Sequence, residues 1–196
     1  MNKTINKKIQ TKRIKDMKKL YSLVMKDNEK NKENIYQIIK KNKNDKEKLN
    51  NELLNIIYHS LENTIAITLQ ESRKMFHSFD ENKIIKIEEL LYQKDNKTLE
   101  ERIKYWITNT NNVMNLFSHI CLILDTETMQ VMHQTIKQKT NIVYVEIIGT
   151  GGCELCASYY EGELHSEDEI DSPPYHPGCL CEEIMYDEAD ILQEII

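Results

Sequence analysis

The chain has 196 residues, of which 40% are hydrophobic and 30% charged, with a formal net charge of −6; this balance suits one soluble domain, or a small domain with an extension, and excludes a disordered chain. Its start, MNKTINKKIQTKRIK, is positively charged but is followed by no apolar run, so no signal peptide is read there. The most apolar stretch, 113–124, is interrupted by Asn115, Ser118 and His119 and is too short to span a bilayer, so the expectation is a cytoplasmic protein with no membrane partner.

The net charge conceals a segregation. Residues 1–50 carry 16 Lys+Arg against 6 Asp+Glu, and residues 1–105 carry 24 against 16. Residues 106–196 carry 2 against 16, and Lys139 is the last basic residue. Such a chain can set its ends against different partners, or against each other in neighbouring copies; the plain alternative is two solvated faces.

Every Gly and Pro lies between Gly149 and Gly178, so the first 148 residues should form long helices joined by polar breaks. A first helix is expected over about 6–26, with Ile9, Met17, Leu20, Tyr21 and Val24 as a thin apolar stripe. The polar stretch that follows holds one apolar patch at Ile35, Tyr36, Ile38 and Ile39, which reads as a helix that fastens on a partner. A stronger helix is expected over about 46–79, with Leu49, Leu53, Ile56, Ile57, Leu61, Ile65, Leu69 and Phe76 on one face. Asp80 marks a break, and 84–92 a shorter helix. Thr98-Leu-Glu-Glu101 is a capping-box pattern that opens a helix through Trp106, and a further helix is expected from Asp125 or Thr126 to Gln138. No internal repeat and no sustained heptad is present. The period then changes: 141–149, with its IVYVEII run, reads as a strand, and 180–186 as a second strand pairing antiparallel with it.

Four of the five cysteines fall within 29 residues. Cys153-x-x-Cys156 follows a Gly-Thr-Gly-Gly turn, and His176-x-x-Cys179-x-Cys181 follows Pro173-Pro174. This is metal-knuckle spacing, because a C-x-x-C turn aims two sulfurs from one tight loop at a tetrahedral ion. The prolines hold the second ligand segment extended, so less entropy is lost when it closes on the metal. The five candidate ligands, Cys153, Cys156, His176, Cys179 and Cys181, exceed the usual four. Cys179 and Cys181 would face one side of a strand, whereas nearby Glu154, Glu161, Glu163, Glu182 and Glu183 favour replacing one thiolate with His176; the choice stays open. The competing reading is a disulfide pair or free buried thiols, and a cytoplasmic context counts against the disulfide. The cofactor expected is structural Zn²⁺ in a closed ligand set.

Catalytic readings fail on residue order. His165-Ser-Glu167 lies after the C-x-x-C, the reverse of the zinc-deaminase pattern. Gly149-Thr-Gly-Gly152 has no following Lys-Ser/Thr and so is no phosphate loop. Cys121 reads as a packed residue, and His59, His77, His119 and His133 as surface or satisfied core. The chain is expected not to be an enzyme.

Residues 153–181 resemble the C-terminal signature of phage minor head proteins, the Mu F-like or head-morphogenesis family. Cys153, Cys156, Gly162, Pro173, Pro174, His176, Pro177, Cys179 and Cys181 fall on its C-x-x-C and P-P-x-H-P-x-C-x-C elements, and Thr126-Glu127 on its Thr-Glu helix. Leu180 and Asp125 stand where the family usually has Arg. The resemblance covers about 98–186. It implies a minor structural protein of a tailed-phage or prophage-derived capsid, acting in head assembly and DNA packaging or delivery. Its partners would be portal or major capsid protein, it would be oligomeric in the particle, and it would sit in the virion after assembly in the host cytoplasm. The basic arm, through Lys3, Lys7, Lys8, Lys12 and Arg13, would contact double-stranded DNA or an acidic protein face. The other function classes are a zinc-ribbon nucleic-acid-binding or regulatory protein, and a zinc-dependent enzyme or toxin. The expected fold class is α+β, mostly α: a helical basic region over 1–97, then a head-morphogenesis-like domain over 98–196 with a zinc-stapled antiparallel hairpin knob at about 141–186.

Overall fold

The computed structural model describes residues 5–92, 96–148, 163–171, 173–176, 179 and 181–192. Six helices and a three-stranded sheet are described. The helices α1 (Lys7–Asn42), α2 (Lys46–Met75), α3 (Ile87–Leu90), α4 (Leu99–Asn109) and α5 (Val113–Lys139) precede β1 (Ile142–Ile148), β2 (Leu164–Ser166) and β3 (Glu182–Asp187), and α6 (Glu188–Leu192) follows. The mostly α, α+β class expected from the sequence is the observed one.

The long helices pack on one another, and their lengths correct several sequence expectations. α1 does not stop near residue 26 but continues to Asn42. Its buried face runs Met17, Leu20, Tyr21 and Val24, then Asn28 and Asn31, then Ile35 and Ile39. The apolar period breaks at the two asparagines while the helix does not, because both are hydrogen-bonded inside the protein. Asn28 Oδ1 accepts from Ser60 Oγ (3.1 Å) on α2 and from Thr128 Oγ1 (3.0 Å) on α5, and its Nδ2 donates to Asp125 Oδ1 (3.1 Å). Asn31 Nδ2 donates to Ser60 Oγ at 2.9 Å. This polar layer joins all three long helices and lies between two apolar clusters. One is built on Ile35, Ile39, Leu53, Ile57, Ile103 and Ile120. The other is built on Leu20, Val24, Met132, Ile136, Ile184 and Tyr186, where the helices meet the sheet.

α2 ends at Met75 rather than 79, since Phe76 turns extended and the His77 and Ser78 N–H groups donate to Asp187 Oδ2 (2.8 and 3.2 Å). The helix expected over 84–92 shrinks to one turn, Ile87–Leu90. The capping box forms as expected: Thr98 Oγ1 accepts from Glu101 N–H (3.2 Å) and Glu101 Oε2 from Thr98 N–H (2.8 Å). α5 starts at Val113, well before the expected Asp125 or Thr126, and is capped by Asn112, whose Oδ1 accepts from Met114 and Asn115 N–H (2.8 and 3.1 Å). Thr126 and Glu127 thus fall in the middle of a helix. Glu127 is fully buried, pairs with Arg102 from α4, and accepts from Tyr92 N–H at 3.0 Å.

The sheet has order β2-β1-β3, antiparallel throughout. β1 and β3 are the two strands expected from sequence, with Ile148 opposite Glu182 and Ile142 opposite Asp187. β2, three residues long, was not anticipated; its Leu164-His165-Ser166 carries neither a β-branched residue nor an apolar run.

Asn28→Ala is expected to cost about 1–3 kcal/mol, because two hydroxyls and a carboxylate in the interior lose a partner. The exposed control Asn34→Ala should stay within about 0.5 kcal/mol. Glu127→Ala should cost about 3–5 kcal/mol by stranding the buried Arg102 guanidinium. Urea midpoints at constant m-value check all three.

Candidate metal centre

Of the five candidate ligands, Cys153 and Cys156 lie outside the described residues, and His176, Cys179 and Cys181 are described. Cys179 and Cys181 are both buried and pack with Ile147 of β1, with Ile170 and Tyr175 beside them. The His176 carbonyl accepts from Cys179 N–H at 3.0 Å. Among the described residues no three His, Cys, Asp or Glu side chains are gathered to hold a metal, so His176, Cys179 and Cys181 do not form a three-ligand group by themselves. Because Ile148 and Glu182 are register partners, the chain leaving β1 towards Cys153 and the chain entering β3 from Cys181 meet the same end of the sheet.

The ligand segment is fastened to the helices through a chain of buried hydrogen bonds that the sequence did not disclose. His133 on α5 and Tyr21 on α1 are both buried. Glu183 N–H donates to Tyr21 Oη at 2.7 Å. Tyr21 Oη lies 2.5 Å from His133 Nε2, and His133 Nδ1 lies 2.9 Å from the Pro173 carbonyl. A carbonyl accepts, so Nδ1 carries the hydrogen; Nε2 is then the acceptor and the Tyr21 hydroxyl donates to it. Burial pushes the Tyr21 phenol well above its usual range, which keeps it a donor. Burial also lowers the His133 pKa, outweighing the Glu183 charge and the Pro173 carbonyl that act to raise it, so the ring is neutral as this pattern requires.

Some of the described carboxylates around this site have polar or cationic partners. Glu183, with a fully buried side chain, lies 3.1 Å from Lys137 Nζ, which also reaches Glu167 at 2.9 Å. Glu146 accepts from Tyr186 Oη (2.9 Å) and Gln10 Nε2 (3.0 Å). Burial raises the Glu182 pKa, partly opposed by Lys18. The crowd of negative charge anticipated from the sequence therefore includes one carboxylate, Glu183, already paired with a cation.

Other residues singled out from the sequence fall as follows. Lys3 lies outside the described residues, while Lys7, Lys8 and Lys12 are exposed on α1. Arg13 is 4% exposed; it pairs with Asp190 of α6, donates to the Met75 carbonyl (2.7 Å) and covers the Phe76 ring, so it is committed inside the protein. Cys121 is half-buried on α5, and burial pushes its thiol up to about 11. His59 is exposed and His119 stacks on Trp106. No helix among the described residues is long and apolar enough to cross a membrane. No family model, curated protein or solved structure matches this chain.

The Tyr21–His133 pair sets a double-mutant test. Tyr21→Phe and His133→Phe should each destabilise by about 1–3 kcal/mol, and the double variant by less than their sum. The pH dependence has a definite sign. The unfolded chain protonates this histidine near the ordinary 6.5, while the folded site resists the proton. Stability is therefore unaffected above that pH and falls as pH drops below it. Denaturant melts at about pH 7.5 and 5.5 should show a larger loss for the wild-type chain than for His133→Phe, a difference that cancels any metal release common to both.

Proposed function

We propose that this protein is a minor head component of a tailed-phage or prophage-derived particle, docking on portal or inner capsid through a zinc-stapled knob. The observation that carries the reading is the paired motif itself: Cys153-x-x-Cys156 and, after Pro173-Pro174, His176-x-x-Cys179-x-Cys181. Its geometry is compatible with the described residues. Two buried cysteines, Cys179 and Cys181, pack on Ile147 near the end of β1, and Cys153 and Cys156 follow that strand in sequence.

Zn²⁺ would be held by Cys153 and Cys156 together with two of His176, Cys179 and Cys181. Cys153 and Cys156 are the safest two of the five, because a C-x-x-C turn aims both sulfurs at one ion. The ion would be structural, cross-linking two loops and contributing on the order of 10 kcal/mol to folding of a three-stranded sheet. The chain's own residues supply the platform: His133 holds the Pro173 carbonyl, and Tyr21 holds the backbone of β3. A knob fixed in this way presents a rigid surface, which is what a low-copy docking element at a capsid vertex needs. In this reading the protein has no catalytic role, and it is found in the virion after assembly in the host cytoplasm.

Elemental analysis of natively purified protein should find one zinc per chain, and Cys153→Ser should lose it while keeping most of the far-UV helical signal. Retention of stoichiometric zinc by that variant would refute the ligand assignment. Co-expression with the portal and major capsid proteins of the same particle should recover the protein in portal complexes or shells. A zinc-loaded protein absent from both would keep the knob and overturn the head-component reading.

A further inference from the structure

The outer face of α1 carries a single row of lysines, Lys8, Lys12, Lys15, Lys19, Lys26 and Lys30, all exposed. The spacings 4, 3, 4, 7 and 4 keep them within an arc of about 60° over a length of about 33 Å. The row lies directly opposite the buried Met17, Leu20, Val24 and Asn28. Lys19 lies 2.8 Å from Glu71, which also takes Lys74, while the other five make no salt bridge among the described residues. No carboxylate enters the row before Glu33. Lys8–Lys12, Lys15–Lys19 and Lys26–Lys30 are like-charge neighbours one turn apart, an arrangement that disfavours the helix carrying it. Glu71 offsets the charge of Lys19, and no ion pair among the described residues offsets that of the other five, so the row is complementary to an anion outside the molecule.

The shape of the row selects the anion. Among the described residues, Glu163, Asp168, Glu169 and Asp171 form an exposed acidic run just before β2 and in the turn after it. It is compact and, on a second copy, would meet one end of the row. A nucleic-acid duplex places one negative charge per about 1.7 Å of axis and spans the whole length. The row contains no aromatic side chain for base stacking and no arginine for bidentate base contacts. We propose that the exposed ridge of α1 binds the phosphate backbone of duplex DNA without reading its sequence. This goes beyond the head-component reading, which concerns the knob, and either can fail without the other. It also relocates the contact expected from the sequence: Arg13 is internal, and Lys15, Lys19, Lys26 and Lys30 extend the surface along the helix.

The test is fluorescence anisotropy of a labelled duplex of about 30 bp and arbitrary sequence, titrated with the full chain at several salt concentrations. The logarithm of affinity should fall against the logarithm of salt with a slope of about −5, a loss of about a thousandfold between about 50 and 200 mM. The variant Lys8→Gln/Lys12→Gln/Lys15→Gln should flatten the slope by about 3, and a second duplex of unrelated sequence should bind equally. Neutralising the exposed off-ridge residues Lys46, Lys83 and Lys86 should leave the slope unchanged. Circular dichroism should show the ridge variant at least as helical as the wild type, since it relieves like-charge pairs. Equal losses from ridge and control variants would overturn the proposal. So would the absence of binding at low salt, or salt-sensitive self-association abolished by the ridge variant in a chain that does not hold DNA.

Discussion

The hydroxyl of Tyr21 is where three separately built parts of the chain meet. In the order β2-β1-β3, β3 is an edge strand, and an edge strand presents backbone groups that must find partners. Tyr21 Oη accepts the Glu183 N–H of that edge, and α1 lies along it. The same hydroxyl donates to His133 on α5, and His133 in turn holds the Pro173 carbonyl ahead of the cysteine-bearing segment. One phenol thus covers the sheet edge, ties the first helix to the last long one, and fixes where the Pro-Pro-x-His-Pro run begins. Every link is buried, so each left unmade would cost its full desolvation penalty.

The polar layer around Asn28 does a related task in the helices. An apolar seam running the full length of α1 and α2 would tolerate sliding by a turn, whereas Asn28 finds Ser60 and Thr128 in one alignment. The layer also separates the two apolar clusters, so the half of the bundle that meets the sheet packs around Met132, Ile136 and Tyr186 while the far half packs around isoleucines and leucines. The sheet-side cluster is richer in Met and Tyr, which suits an irregular junction of helices and strands.

These interior polar groups explain what was and was not legible in the sequence. The mostly helical first part, the capping box at Thr98 and the pairing of β1 with β3 follow from Gly/Pro placement, a local motif and β-branched composition, all of which act over a few residues. The continuity of α1 through Asn28 and Asn31 did not follow, because periodicity scores polar residues as exposed, and their partners lie on other helices. The start of α5 at Val113 has no such signal, because Asn115, Ser118 and His119 interrupt the apolar run, although Ser118 is exposed on the helix surface and donates to the Met114 carbonyl. β2 has no local signal and exists through its pairing with β1. The cysteine motif was plain in sequence; its attachment to His133 and Tyr21 was not, since a lone histidine or tyrosine on an apolar face reads as core.

Charge segregation along the chain acquires a second meaning from the fold. The basic first half and the acidic second half are neighbours in space: Arg13 pairs with Asp190, Lys32 with Asp125 and Arg102 with Glu127. These pairs are buried or half-buried, where desolvation offsets much of the attraction, so their contribution is to correct alignment more than to net stability. They also sort the cations of α1. Arg13, whose planar guanidinium can satisfy several acceptors at once, is on the inside; the row of lysines, each a hydrated point charge, is on the outside. A net charge of −6 therefore does not describe what a partner approaching α1 would meet. At physiological salt, fields decay within about 8 Å, less than the width of a helix with its side chains, so the outer face of α1 is felt as a cationic edge even though the molecule as a whole is an anion.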